Sequence, residues 1–399
     1  MNKEIYLTIK SGYEVAYKDG YPLISRESIS DWSRVSQEGV ILNLVDARKR
    51  FIVKGYHGIQ NKGYGWVLSS KKDEKIDAEY FVQKIKSAIS NREDFYRDAS
   101  TTAFRVFNGE GDGVGGLTID YFDGFYLVTW YSIGIYEFKA DILEALKSSV
   151  DYKGIYQKKR FDAKGSYLDD AGDFVCGKRA ESPITVKENG AKFAIYLDDG
   201  AMVGVFLDQR EVRKTIRDKY AKGKTLLNTF SYTGAFSLFA ALGGATKTTS
   251  VDLAKRSLPK TKEQFSINSI DSDTQNIIVE DVFNYFKYAL RKKLLFDIVV
   301  LDPPSFARSK KHTFSASKDY VKLLKEAIQI TEKGGVIVAS TNSANFSMMT
   351  FRDFISKAFR ELRGKFKVEE NFSLPKDFRV NPNFKEGDYL KVVFIRKLS

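Results

Sequence analysis

The rhythm of apolar and polar positions changes twice along the chain. Over residues 1 to about 72, short strand-like runs (IYLTI, GVILNLVDA, RFIVKGY, GYGWVLS) lie between turn signals, with few helical periods. That pattern predicts a small β-rich module over 1–72. From Asp77 to about Tyr96 the period lengthens: Phe81, Ile85 and Ile89 recur every four residues, one face of an amphipathic helix. LTIDYF and FYLVTWY then flank Asp123-Gly124, which predicts a hairpin closed by a tight turn. Residues 135–149 read as a second helix and 153–180 as strand and loop, so 73–185 is predicted to be a mixed α+β module. Gly111-x-Gly113-x-x-Gly116 has dinucleotide-binding spacing. A strand follows it where that fingerprint needs a helix N-terminus to face a pyrophosphate, so it reads as a tight connection.

From about residue 190 apolar strands alternate with helical segments. KTLLNTF precedes GAFSLFAAL, KTTSVDL precedes AKRSLPKTKEQFSIN, QNIIVED precedes VFNYFKYALRK, FDIVVLD precedes SKDYVKLLKEAIQI, and GVIVAST precedes TFRDFISKAFREL. Apolar strands bounded by turns and caps belong in a parallel sheet covered by helices on both faces. KFKVEENFSL and DYLKVVFIRK follow without a helix between them and read as an antiparallel pair added at the sheet edge. The fold class is therefore α/β, with a doubly wound sheet and terminal hairpin over 186–399 behind two smaller modules. This is the layout of the Rossmann-like class I methyltransferase fold.

Composition narrows the function. Lys and Arg number 64 against 51 acids, a net charge of +13. Such an excess favours a polyanion, nucleic acid ahead of an anionic membrane. Cys176 is the one cysteine and His57 and His312 the only histidines. Intramolecular disulfides and CxxC metal sites are excluded, and no metal is expected. No apolar run approaches the roughly 18 residues of a membrane span, and the first residues lack a signal-peptide core. A cytoplasmic location is expected. A homodimer stays open, since the sequence does not give the oligomeric state.

Ligands of doubly wound sheets bind off the carboxyl ends of the strands, near the point where strand order reverses. The first strand ends in Asn228-Thr229-Phe230-Ser231-Tyr232-Thr233-Gly234, small and polar enough for close backbone approach to a ligand. The second ends in Asp252, a carboxylate that can accept both hydroxyls of an adenosyl ribose or cap the helix that follows. The third ends in Asp281, which can accept from an adenine amino group or serve as an N-cap. The fourth ends in Asp302-Pro303-Pro304-Ser305-Phe306, the sharpest signal in the chain. Two prolines cannot continue a ladder or enter a helix interior, so they hold an extended corner with free carbonyls. The acid and those carbonyls can accept from a nucleobase, and Phe306 offers a stacking face. Downstream, Arg308, Lys310, Lys311, Lys318, Lys322 and Lys325 face one acid, Asp319, with Phe314 and Tyr320 interleaved. A basic, aromatic loop of this kind suits an RNA backbone, whereas Lys322 and Lys325 also fit a solvated helix face. Upstream, Asp208, Gln209 and Arg210 in GVFLDQREVRK read as a helix start.

FLDQR, LLNTFSYTGAFSLFA, SVDLAKRSL and LDPPSF together resemble the large-subunit ribosomal RNA methyltransferases of the RlmI type, and GEGDGVGGLTIDYF resembles their central domain. The resemblance covers nearly the whole chain. It implies a PUA-like RNA-binding domain over 1–72, a central α+β domain over 73–185 and an S-adenosylmethionine-dependent domain over 186–399. It places Phe206, Asp208 and Arg210 beside the cofactor. Asn228, Phe230, Ser231, Tyr232, Thr233 and Gly234 would flank its methionine end, Asp252 and Leu253 its ribose, and Asp281 and Val282 its adenine. Asp302, Pro303 and Pro304 fall at the catalytic strand end, with Phe306, Arg308, Lys310 and Lys311 toward RNA.

The chain departs from this pattern at one position. Relatives that make 5-methylcytosine carry a cysteine just after the fifth strand, because cytosine C5 needs a thiolate added at C6 before it can take a methyl. Here the stretch reads Ser340-Thr341-Asn342-Ser343, and Cys176 lies in the central module. Asn342 cannot be that nucleophile but can hydrogen-bond a base. Enzymes of this type that alkylate a ring nitrogen of guanine need no covalent step and carry asparagine near this position. The expectation is methylation of a base of 23S ribosomal RNA, at nitrogen rather than carbon. Alternatives are 5-methylcytosine formation, a transfer RNA or protein substrate, and a catalytically silent RNA-binding protein.

Overall fold

The computed structural model of the protein describes residues 4–60, 63–161, 174–200, 202–308 and 313–399. These form two compact units, one of Met1–Val186, Ile195–Val203 and Lys376–Gly387, the other of Lys187–Ala194, Gly204–Pro375 and Asp388–Ser399.

The first unit holds two five-stranded sheets. One is built from Glu4–Thr8, Leu23–Ser25, Ile41–Val45, Phe51–Gln60 and Gly63–Ser69, the β-rich pattern of the opening residues. The other contains Leu117–Phe122 and Phe125–Trp130, joined at Asp123 (φ 48°) and Gly124 (φ 91°) with Phe122 opposite Phe125. Both turn residues are left-handed, the signature of a two-residue hairpin loop. A strand does follow Gly116, so the glycine-rich run is a connection. The helix Ala78–Ser90 is capped by Asp77, whose side chain accepts from Tyr80 N. Phe81 and Ile85 pack into a core shared with Tyr56 and Trp66 of the first sheet. Lys376–Gly387 joins this unit from far along the chain. Buried Arg92 grips the Asp112 carboxylate at 2.7 and 2.8 Å and donates to the Asp377 carbonyl at 2.7 and 3.0 Å.

The second unit carries the functional sheet. Its strands are β1 (Thr225–Thr229), β2 (Lys247–Asp252), β3 (Asn276–Val279), β4 (Phe296–Leu301), β5 (Thr331–Thr341), β6 (Phe366–Phe372) and β7 (Lys391–Lys397), in spatial order β3-β2-β1-β4-β5-β7-β6. β1 to β5 run parallel, and β7 pairs antiparallel with both β5 and β6. The helices are α1 (Arg210–Thr215), α2 (Ala235–Leu242), α3 (Ser257–Ile267), α4 (Val282–Arg291), α5 (Ala316–Gln329) and α6 (Met348–Glu361).

Successive strand side chains point to opposite faces. Leu227, Val299, Leu301 and Ile337 enter one core with Tyr320 and Phe351. Leu226, Ile298, Val300 and Val338 enter the other with Val212 and Phe236. Each fully buried residue of this size contributes about 1.5–3 kcal/mol of transfer free energy. Both faces are thus anchored, and the rigid sheet delivers its strand ends to one edge. Strand order reverses between β1 and β4, where Thr229 stands opposite Leu301. Asp302 and the 230–234 loop therefore begin at the switch point.

Candidate active site

The loop after β1 has an unusual backbone. Phe230 (φ 54°), Tyr232 (φ 51°) and Gly234 (φ 77°) all lie in the left-handed region. Glycine takes that conformation freely, whereas the two aromatic residues are strained by it. A Cβ on Gly234 would also lie 2.4 Å from Thr261 Cγ2 of α3. Hydrogen bonds hold this shape: Ser231 N donates to Val251 O (3.1 Å), Tyr232 N to Asp252 Oδ2 (2.9 Å) and Thr233 Oγ1 to Gly204 O (2.7 Å). Beneath the loop, Asn228 is fully buried, and neither its Nδ2 nor its Oδ1 has a hydrogen-bond partner among the described residues. Leaving both ends of a buried amide unmatched costs about 1–3 kcal/mol per group. A strained cradle over an unsatisfied amide fits a polar ligand such as the amino-acid end of S-adenosylmethionine.

Asp252 is not an N-cap, since α3 begins five residues later with Arg256 at its cap position. Its Oδ1 accepts from Ala254 N (2.8 Å) and its Oδ2 from Tyr232 N, so the carboxylate ties the two loops together. Each oxygen keeps a lone pair for a diol. Leu253 beside it is exposed. Asp281 is the N-cap of α4, with Oδ1 accepting from Phe283 N (3.0 Å) and Asn284 N (3.2 Å). Val282 packs into the core, so only its backbone can meet a ligand.

The corner after β4 is built differently. Gln209 Nε2 donates to Asp302 Oδ1 at 3.1 Å and to Ser340 Oγ at 2.8 Å. The Tyr320 hydroxyl of α5 donates to Ser340 O at 2.6 Å. Burial raises the Asp302 carboxyl to about 6; nearby Asp208 adds to the rise, while Ser340, Arg213 and Gln209 oppose it. Asp208 Oδ2 accepts from the Tyr389 hydroxyl at 2.9 Å. Arg213 is buried in a bidentate pair with Glu188, both bonds 2.7 Å, and donates to Phe206 O at 2.7 Å. Arg210 is also buried, 3.5 Å from Glu211. Phe206 is exposed, its ring 5.5 Å from that of Tyr232.

Pro303 is buried and Pro304 exposed. Ser305 Oγ donates to Asn342 Oδ1 at 2.5 Å, joining the corner after β4 to the end of β5. Phe306 is 64% exposed. It opens a two-stranded ribbon, Phe306–Arg308 with Thr313–Ser315. Lys310 and Lys311 lie outside the described residues, as does the side chain of Arg308. Next to Asn342, the backbone is held by Lys391, whose buried ammonium donates to Ser343 O and Tyr389 O, both at 3.1 Å. Burial lowers the Lys391 pKa.

The strand ends thus bring together the 228–234 loop, Asp252, Asp208, Asp302 and Asn342. Cys176 belongs to the other unit, on the strand Phe174–Gly177. Sequence reasoning assigned no site role to Ser340, Tyr389 or Lys391, and it set Phe314 and Tyr320 in an RNA-facing loop, whereas the structure buries both in the core. Ser340 had a faint signal, as a hydroxyl closing the apolar run GVIVAS.

Residues 104–384 match the family model for S-adenosylmethionine-dependent methyltransferases, and residues 7–70 match a PUA-like domain. YwbD of Bacillus subtilis (strain 168), named as a candidate ribosomal RNA large subunit methyltransferase, is 55% identical over 98% of this chain and 99% of its own. Ribosomal RNA large subunit methyltransferase I of Pseudoalteromonas translucida (strain TAC 125) is 27% identical over 98% of each chain. A crystal structure of SMU.776, a candidate methyltransferase complexed with SAH, superposes with a TM-score of 0.90 at 38% identity, covering 99% of this chain and 100% of that one.

Proposed function

The chain belongs to the S-adenosylmethionine-dependent methyltransferase family, and from that premise we propose that it methylates a base of large-subunit ribosomal RNA, at a nitrogen. The observation that carries the reading is the corner after β4. Asp302 is a half-buried acceptor at the topological switch point, and Asn342, bonded to Ser305, stands where the resemblance puts the thiol of a covalent mechanism. The ribosomal RNA relatives and the net charge of +13 support an RNA substrate.

When bound, the cofactor supplies a methyl group activated on a sulfonium. The chain's own residues position. The 228–234 loop with Asn228 would hold the methionine end, Asp252 the ribose and Asp281 the adenine edge. Asp302 and Asn342 would fix the base by hydrogen bonds, so that the acceptor atom approaches in line; such orientation is itself a large part of the rate. Phe306 and the basic ribbon would carry the neighbouring nucleotide and backbone.

The test is to map modified nucleosides in large-subunit ribosomal RNA from a deletion strain against its parent. One methylated base should vanish and return with the gene. Loss of a methyl from transfer RNA instead would overturn the substrate, and loss of a 5-methylcytosine would overturn the atom. RNA carrying 5-fluorocytidine, which traps a C6 thiolate adduct, should give no stable complex, and Cys176→Ser should leave transfer nearly intact.

A further inference from the structure

We infer that Gln209 and Ser340 act as a clamp that holds the Asp302 carboxyl in one orientation and keeps it a hydrogen-bond acceptor; both are positioning residues for the methyl-transfer step. This rests on the reading of Asp302 as a base-orienting group. Three elements distant in sequence converge here: the turn Leu207–Gln209, the end of β4 and the end of β5.

A glutamine amide has two donor hydrogens on Nε2 and one carbonyl oxygen. At Gln209 both hydrogens are committed, one to Asp302 Oδ1 and one to Ser340 Oγ. Ser340 Oγ accepts there, so its own hydrogen is free to act on the Asp302 carboxyl. Ser340 is held in turn by Tyr320, which bonds its carbonyl. Gln209 thus bridges the carboxylate and the serine, and Ser340 beside them also favours the charged form of Asp302.

Stability alone does not explain this arrangement. Gln209 is 3% exposed, and its Oε1 is buried with no hydrogen-bond partner among the described residues. An apolar side chain of the same length would avoid that unmatched acceptor. The amide is retained at a cost in folding, and what it delivers is its pair of donors.

The clamp also opposes what the surroundings do to the carboxyl. Burial and the negative charge of Asp208 favour protonation, and Tyr320 packs against the group as a buried neutral phenol. Arg213, Gln209 and Ser340 favour the carboxylate. Burial has the larger effect, and the carboxyl titrates at about 6 instead of 3.8. Asp302 therefore contributes stability that is fully present below pH ~4 and is lost as pH rises through about 6. Subtracting the pH–stability curve of Asp302→Asn from that of the parent isolates this titration without any RNA.

The experiment measures thermal unfolding from pH 4 to 8 for the full chain, for Gln209→Met and for Ser340→Ala, each with and without Asp302→Asn. Turnover on large-subunit RNA is measured across the same range. Removing either donor should move the Asp302 titration to higher pH by about one unit. Gln209→Met should unfold no more easily than the parent near pH 4, where the carboxyl is protonated, and should lose stability relative to it as pH rises. Turnover should fall about tenfold at neutral pH through kcat, with KM for RNA and affinity for SAH unchanged, and should recover as pH rises. Ser340→Thr, which keeps the hydroxyl, should restore the parental profile. An unmoved Asp302 titration in both variants would overturn the clamp. A titration that moves as expected, in a protein with no activity on this RNA, would uphold the clamp and overturn the substrate reading.

Discussion

The two strand ends at the switch point solve opposite problems. The end of β1 is unfinished by itself: a buried amide without partners lies under a loop with strained aromatic residues. The end of β4 is preassembled: Asp302 is already held by Gln209, whose amide is itself fixed on Ser340. On the proposed reading, the first is a place that a small molecule would complete, and the second a group held ready for a large substrate. Binding free energy can fill the first, whereas accuracy of alignment depends on the second being rigid.

Breaking the rigid end should have the largest effect. Asp302→Asn keeps shape and packing but loses a charged acceptor, and should lower turnover about a hundredfold or more. Calorimetry should find SAH affinity within about twofold of the parent. A matching loss of cofactor affinity would mean that the two ends are one site energetically.

At the other end, Asp252→Ala should weaken S-adenosylmethionine binding by about 2–4 kcal/mol, through lost charge-assisted hydrogen bonds. Asp252→Asn should lose less, because an amide oxygen can still accept from Tyr232 N. Unchanged affinity in a folded Asp252→Ala protein would remove the ribose assignment.

Asn228 sharpens the contrast through a difference in sign. Asn228→Leu should leave the ligand-free protein as stable as the parent or stabilise it by about 1 kcal/mol, since two unmatched groups disappear. The same change should shrink the rise in melting temperature that S-adenosylmethionine produces. A ligand-free protein destabilised by several kcal/mol would show that Asn228 has a structural partner.

The gentlest effect should come from the basic residues of segment 308–311. Replacing Arg308, Lys310 and Lys311 by alanine should reduce the salt dependence of RNA binding by roughly 0.7 in log–log slope for every phosphate no longer neutralised. Cofactor affinity should not change. An unaltered slope would move phosphate binding to the β-rich first unit.

The sheet was legible because its signals are local. Each apolar strand reads within six or seven residues, and caps such as Asp77 and Asp281 mark helix starts beside it. The GxGxxG run could be rejected for the same reason, because the next few residues form a strand. The clamp was not legible. Gln209 is 93 residues from Asp302 and 131 from Ser340, and no periodicity records that they meet. Asp252 was half legible: the strand-end position was readable, but α3 starts too late for Asp252 to cap it. The departure of Lys376–Gly387 into the first unit left no pattern either, since the residues on both sides read as ordinary strands.

That departure constrains how the protein can be made. A ribosome delivers residues in order, and the first unit waits for Asp377, whose carbonyl Arg92 needs. The sheet of the second unit waits longer, because β7 threads between β5 and β6 and is, among the described residues, the one strand that β6 pairs with. A polypeptide released before residue 376 therefore leaves both units incomplete.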